Sequence, residues 1–179
     1  RTPLMEDCLA LSDLATDPID QFATWYAEAR HSDTVLPQAM TLATIDARGR
    51  PTARMVILDD FGPQGFVFYT HYQSHKARDL AGAPHAALVF YWAAQNRQVR
   101  IEGRVEKVSA ATSDAYFARR PRDSQLSAWA SRQSATLPDR QTLAAEIREL
   151  DRQYAAREIP RPPHWGGYRV QPDRCEFWA

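Results

Sequence analysis

Tyr116, Arg119, Arg120, Arg122 and Ser124 fall within nine residues, in YFARRPRDS. Tyrosine, arginine and serine are the donors that hold a phosphate monoester. Arginine offers a planar two-pronged fork, and the hydroxyls add single bonds. Pro121 interrupts the run, so it is expected to break a helix there and turn the arginines towards one point. A solvated basic corner between two helices is the competing reading.

A second cationic set lies upstream, in RMVILDDFGPQGFVFYTHYQSHK. Arg54 opens an apolar run, and Ser74 and Lys76 stand where a helix is expected to begin. Helix N-termini expose unpaired N–H groups, so an arginine, a lysine and a helix start together suit an anion. Taken alone, the stretch reads more readily as an ordinary β-hairpin with solvated charges at its ends. Gln98 lies on the polar face of a strand, and its amide both donates and accepts, which suits the edge of a heteroaromatic ring. Trp129, Gln133 and Ser134 follow in AWASRQS, then Trp165 and Trp178. Trp165 reads more readily as a core residue.

Other chemistries find no support. The five histidines show no HxH or HExxH spacing, and no metal site is expected. There is no GxSxG, no cysteine beside a histidine, no GxGxxG and no GxxxxGK[ST]. Formal net charge is zero, which gives no reason to expect nucleic acid or an acidic membrane surface. No apolar run approaches membrane-spanning length and no signal peptide is read. Cys8 and Cys175 lie far apart, so a disulfide scaffold is not expected and a cytoplasmic location is. The sequence begins at Arg1 and stops straight after the strand-like CEFW, so both ends are expected to continue in a longer protein.

The elements that must position these groups follow from periodicity. Residues 1–17 show none and are expected to form a poorly ordered arm. A single domain over residues 18–179 follows. Ile19, Phe22, Tyr26 and Ala29 make a helical stripe, with Asp17 as N-cap and Pro18 at the first position. Strands are expected over Ala39–Asp46, in RMVIL and in FVFYT, then a helix over about 74–82. His85–Trp92 reads as a strand buried on both faces. Arg97–Val108 alternates with period two, and Gly103 on its apolar face predicts a bulge or a close backbone approach. Ser109 caps a helix to about Arg119, a short helix spans 123–131, and Leu143, Ile147, Leu150 and Tyr154 form another stripe. Gly167–Gln171 and Arg174–Trp178 read as two strands around a Pro-Asp turn. Six or seven antiparallel strands with peripheral helices predict a mainly β fold, a small closed or split barrel.

RMVIL, FVFYT with S-x-K, RQVRIEG, YF-x-x-RPRDSQ, AW-x-S-x-QS, PPHWGGYRV and EFW occur in this order, from about residue 18 to 178. Together they resemble the pyridoxamine/pyridoxine 5′-phosphate oxidases. The resemblance implies an FMN-binding split β-barrel, working as a homodimer with FMN at the interface. It implies oxidation of the 4′ carbon of pyridoxamine or pyridoxine 5′-phosphate to pyridoxal 5′-phosphate, with a hydride passing to the flavin and O2 reduced to H2O2. It assigns Arg54, Met55, Val56, Ile57, Tyr69, Thr70, His75, Lys76 and Gln98 to FMN. Gln133, Ser134 and Trp178 are implied as FMN contacts from the partner subunit. Tyr116, Arg120 and Ser124 are implied as the grip on the substrate phosphate. No protein group is implied as the catalytic centre, since the flavin does the redox chemistry.

Three departures stand out. Asp59, on the substrate side, takes the place of a usual lysine, and a carboxylate there should repel a phosphate. His75 stands where an arginine is common. The family's continuation past EFW, with an Arg-x-His pair and a further arginine for FMN, lies beyond Ala179. Two alternatives stay open: a paralogue with the same flavin site and another substrate, such as a phenazine precursor, and a non-catalytic flavin- or pyridoxal-phosphate-binding protein.

Overall fold

A computed structural model describes residues 14–155 and 157–179. The expected arm lies mostly in residues 1–13, outside the described residues. The first element, α1 (Pro18–Arg30), starts as its sequence dictates: Asp17 accepts from the Ile19 N–H at 2.7 Å, and Pro18 occupies the first turn. The stripe of α1 is wider than the sequence pattern suggests. Phe22, Trp25 and Ala29 are its buried apolar residues, with Gln21 buried beside them and Ile19 and Tyr26 at the margins. Phe22 meets Phe61, Phe66 and Phe90 edge-on at 4.8, 4.9 and 5.0 Å, so α1 is pinned to the sheet by aromatic contacts.

The sheet has seven strands: β1 (Ala39–Ile45), β2 (Pro51–Ile57), β3 (Asp60–Gly62), β4 (Gly65–His71), β5 (His85–Trp92), β6 (Arg97–Lys107) and β7 (Trp165–Trp178). Their order is β2-β1-β5-β6-β7-β4-β3, and every pairing is antiparallel. The expected fold class is borne out as a curled half-barrel sheet with five helices: α1, α2 (His75–Gly82), α3 (Ala110–Arg119), α4 (Arg122–Ala130) and α5 (Arg140–Gln153).

Two strand readings need correction. β5 is not buried on both faces. Ala86, Leu88, Phe90 and Trp92 enter the core, while His85 and Tyr91 are exposed and Ala87 and Val89 are half-buried. An apolar run cannot by itself report which face a fold covers. The two short strands expected after Gly167 are one strand, β7. Its first half pairs with β4 and its longer span with β6. Pro172 and Asp173 do not turn the chain. Gly103 pairs with Pro172 and Glu102 with Arg174, so Asp173 is the extra residue of a bulge.

That bulge explains Gly103. A Cβ there would lie 1.8 Å from the Gln171 carbonyl oxygen and 2.8 Å from its carbon, both rigid backbone atoms. Gly103→Ala is therefore expected to destabilise the protein by about 3 kcal/mol through forced strand displacement. In thermal unfolding followed by circular dichroism this is a drop of roughly 6–12 °C. An unchanged melting temperature would mean the strand pair parts without cost.

α3, α4 and α5 build a second, smaller core around Phe117, Leu126, Ala128, Ile159 and Trp165. The expected α5 stripe is realised in part: Ile147, Leu150 and the C-cap Tyr154 pack against this core, whereas Leu143 does not join it. Ser109 caps α3 by accepting from the Thr112 N–H at 3.0 Å. The candidate site residues lie where this helical layer meets β2, β4 and α2.

Candidate active site

β4 ends in Tyr69, Thr70 and His71, a short turn follows, and α2 begins at His75. Ser74 holds the N-cap position, fully buried, and its hydroxyl caps none of the helix's backbone N–H groups. First-turn N–H groups have no partner inside a helix. One of them is met from afar: the His75 N–H donates to Ser134 Oγ at 3.2 Å. Ser134 has φ 70°, a left-handed conformation uncommon for serine, which brings its hydroxyl to this helix end.

Lys76 is the central group. It is only 7% exposed, and its ammonium donates to Gln133 Oε1 at 3.0 Å, Thr70 Oγ1 at 3.1 Å and Ser74 Oγ at 3.4 Å. Among the described residues no carboxylate lies within ion-pair distance of it. Burial pushes its ammonium below the ordinary lysine range, and the nearby Arg54 adds to the effect. A charge taken out of water without a counter-ion is costly. An incoming anion supplies what this site lacks.

Arg54, on β2, shares a cavity of about 1050 Å³ with Lys76, His75 and Ser134. Its guanidinium is turned into the protein. One terminal nitrogen donates to Thr44 Oγ1 at 2.6 Å and the Leu42 carbonyl at 3.3 Å; the other donates to Thr52 Oγ1 at 2.6 Å and Asp79 at 3.4 Å.

A neighbouring cavity of about 420 Å³ adjoins the first at Met55, Lys76 and Gln133. Its wall includes Val56 and Ile57 from β2, then Tyr116, Arg120, Ser124 and Trp165. Tyr69 and Tyr116 stack at 3.8 Å with planes 10° apart, and Trp165 lies parallel to both. Burial, reinforced by the Asp59 carboxylate, pushes the Tyr69 phenol up to about 12 and the Tyr116 phenol upward, so both remain donors at neutral pH. Arg120 lies 4.5 Å over the Trp165 ring, and its buried Nη1 has no hydrogen-bond partner. Buried polar atoms are nearly always paired, so this atom points to a ligand.

The three arginines do not converge as the sequence suggests. Arg120 enters the cavity. Arg122 leaves it, donating to Asp151 on α5 at 2.9 Å and to the Tyr154 carbonyl. Arg119 stays with Tyr116, 5.7 Å from its ring centre, and sits close enough to Asp59 to favour its ionised form. Pro121 ends one helix and starts the next, which splays successive side chains rather than gathering them.

This geometry has relatives. A family model described as pyridoxamine 5′-phosphate oxidase matches residues 29–154. The pyridoxine/pyridoxamine 5′-phosphate oxidase of Chromohalobacter salexigens is 52% identical over 172 residues, 96% of this chain and 80% of that one. The chain belongs to the pyridoxamine 5′-phosphate oxidase family. The enzyme of the same name from Burkholderia multivorans is 53% identical over 167 residues, 93% of this chain and 78% of that one. Among solved structures, PhzG from Burkholderia lata, in complex with tetrahydrophenazine-1-carboxylic acid, superposes with a TM-score of 0.89 at 31% identity. That match covers 97% of this chain and 86% of PhzG. A Nostoc punctiforme protein, pyridoxamine 5′-phosphate oxidase-related and FMN-binding by its description, shares the fold with a TM-score of 0.69 at 18% identity, over 87% of this chain and 82% of that one.

The family resemblance groups Gln133, Ser134 and Trp178, but the structure separates them. Gln133 and Ser134 reach Lys76 and His75 of their own chain. Trp178 is 53% exposed and pairs in register with Gln98, and neither residue lines the two cavities. The loop after α4 brings the first pair back to α2, whereas the end of β7 runs out along β6. Asp59 lies just outside the smaller cavity, with its carboxyl beside the Tyr116 hydroxyl and pushed up by burial.

Sequence reasoning missed His71 in the wall of the smaller cavity and His164 stacked upon it. His71 is 5% exposed in the wall of the smaller cavity, its Nδ1 accepts from the Gln73 N–H at 3.0 Å, and its ring stacks on His164 at 4.4 Å. The two lie too far apart in sequence for spacing to pair them. Burial lowers the His71 pKa below 6.5, and His164 and Lys76 add to it. Between its folded value and 6.5 the unfolded chain binds the proton and the folded chain does not, so stability rises with pH across that window. The flavin-free protein is expected to lose stability as pH falls below about 6.5, and His71→Asn to flatten the loss. Denaturant unfolding of both proteins at pH 5.5 and 7.5 measures the difference; parallel curves would exclude the role given to His71.

Proposed function

We propose that this chain is an FMN-dependent oxidase that converts pyridoxamine or pyridoxine 5′-phosphate to pyridoxal 5′-phosphate in the cytoplasm, with O2 as acceptor and H2O2 as product. One observation supports the reading: Lys76, buried where two cavities adjoin, has no counter-anion among the described residues, and Arg120 reaches the smaller cavity beside a stacked aromatic wall with a buried terminal nitrogen unpaired. Two phosphate-bearing molecules with a flat ring system each fit such a donor set.

In this reading Lys76, Thr70, His75 and Ser134 hold the flavin phosphate at the start of α2, with Arg54 behind them. Met55, Val56, Ile57 and Gln133 line the flavin's bed, and Tyr69 bounds it. Tyr116, Arg120 and Ser124 hold the substrate phosphate, with Trp165 beneath the guanidinium. Bound there, FMN supplies the two-electron acceptor that O2 then regenerates. The protein excludes water and keeps the two rings in register. Residues 18–179 form the one domain of the site.

A homodimer completes it. Met55, Ile57 and Tyr91 are 61%, 50% and 60% exposed on the outer face of β2 and β5, a set of large apolar side chains that a second copy would cover. Gln98 and Trp178, remote from their own chain's cavities, then reach the partner's flavin.

A second reading has its own support. Asp59 places a carboxylate beside Tyr116, which disfavours a dianion, and PhzG is a structural relative with a different ligand. A paralogue acting on a phenazine precursor fits those two facts. The visible spectrum of the purified full-length protein, then peroxide release with pyridoxine or pyridoxamine 5′-phosphate, separates the cases. Flavin absorbance with turnover is the expected result. Flavin without turnover on either phosphate would leave the paralogue, and absence of flavin after reconstitution would sink both.

A further inference from the structure

We propose that Asp79 is an internal counter-ion for Arg54 that competes with a bound phosphate, and so sets how tightly this site holds a phosphate-bearing ligand. The inference rests on the reading of the larger cavity as a flavin phosphate site.

Asp79 lies on α2, one turn beyond Lys76, and lines the same cavity as Arg54, His75 and Lys76. Its Oδ2 accepts from Thr44 Oγ1 at 2.7 Å, Thr52 Oγ1 at 2.9 Å and Arg54 at 3.4 Å. The side chains of Arg54 and Asp79 are 21% and 11% exposed, so solvent screens this pair little. The hydrogen atoms decide the arrangement. Each threonine hydroxyl has one to give, and the carboxylate draws both. Their lone pairs are thereby left facing Arg54, whose two terminal nitrogens donate to them at 2.6 Å. With Leu42 and Asp79 as further acceptors, both N–H bonds of each terminal nitrogen are engaged, and only Nε–H is left over.

An arginine committed in this way cannot present a two-pronged fork to a phosphate. To do so it must exchange Asp79 and at least one hydroxyl for phosphate oxygens. Asp79, meanwhile, keeps a negative charge in the wall of the cavity that takes the anion. Both effects act in one direction: the carboxylate weakens phosphate binding, through repulsion and by holding the cation elsewhere. Without the ligand it does the opposite for the fold, because it keeps a largely buried guanidinium paired.

Asp79→Asn keeps the shape and an oxygen for the threonines but removes the charge. FMN is expected to bind the variant about tenfold more tightly than the parent, by fluorescence titration of the apoprotein. Riboflavin, which lacks the phosphate, should bind both proteins alike within about twofold. The ligand-free variant should melt lower than the parent, and inorganic phosphate should raise its melting temperature more. FMN affinity that is unchanged or weaker in the variant overturns the proposal in favour of a purely positioning role. So does an equal tightening of riboflavin. Asp79→Ser repeats the test if Asp79→Asn does not fold; failure of both to fold assigns the carboxylate to folding alone and overturns the proposal too. A parent protein that binds no flavin sinks the functional reading instead, and the phosphate-dependent melting still decides the role of Asp79.

Discussion

Lys76→Met is expected to weaken FMN binding about 100-fold or more while leaving the flavin-free protein as stable as the parent or more so. The two effects have opposite signs because the lysine serves only the ligand. In the free protein its ammonium is buried among three neutral oxygens with no carboxylate in reach, and desolvation already lowers its hold on the proton. Methionine has similar length, carries no charge and removes that desolvation cost. With a phosphate present, the parent makes a charge-assisted bond in a dry site, and losing one buried partner of that kind costs about 2–5 kcal/mol. Flavin fluorescence titration of the apoprotein, together with its melting temperature, reads both numbers. A variant that melts well below the parent would show the lysine to be structural. There is a pH consequence as well. The folded pKa lies below 10.5, so the unfolded chain binds the proton in the interval between, and the flavin-free parent gains stability as pH rises through it. Lys76→Met should lack that gain.

Arg120→Ala should act on the other half of the site. KM for the phosphorylated substrate is expected to rise about 100-fold, and FMN affinity to change by less than about threefold. Arg120 lies over Trp165 with a buried terminal nitrogen unpaired, so its strongest bond is one that only a ligand makes. A charged hydrogen bond and its fork geometry account for about 3 kcal/mol. Arg120→Lys tests the geometry separately: the charge survives and the fork does not, so recovery should be partial. Steady-state kinetics with saturating FMN gives KM, and the flavin titration gives the control. Equal loss of flavin and substrate binding would place Arg120 in a shared scaffold instead.

What could be read from the sequence divides along the length scale of the interactions. Asp17 and Ser109 cap helices because their side chains bond an N–H two or three residues on, and a local pattern reports a local bond. The alternation of Arg97–Lys107 and the glycine within it likewise state the strand and its bulge. The two clusters of donors suited to an anion were legible as residue types, with Lys76 and Arg120 at their centres. Direction was not. Arg120 and Arg122 are two residues apart and point different ways, one into the smaller cavity and the other to Asp151, because a helix boundary falls between them. The continuity of β7 was hidden since Pro172 and Asp173 form a turn in isolation and a bulge only when β6 is alongside. The Asp79 clasp joins β1, β2 and α2, three elements that no spacing rule relates. The outward face of β5 at His85 and Tyr91 depends on which side of the sheet is covered, which an apolar run does not record.

The position of β7 also fixes when the site can exist. The β3–β4 ribbon, which carries Tyr69 and Thr70, is hydrogen-bonded to the rest of the sheet only through Trp165–Val170. Those residues are made almost a hundred positions after the strand they secure. On the ribosome, β1, β2, β5 and β6 can pair as they emerge, while β4 waits with one edge unsatisfied. Arg120 therefore cannot settle over Trp165, nor the smaller cavity gain its aromatic wall, until β7 has been made. A chain stopped before Trp165 would keep six of the seven strands and the residues that line the larger cavity, yet lack the aromatic floor of the smaller one.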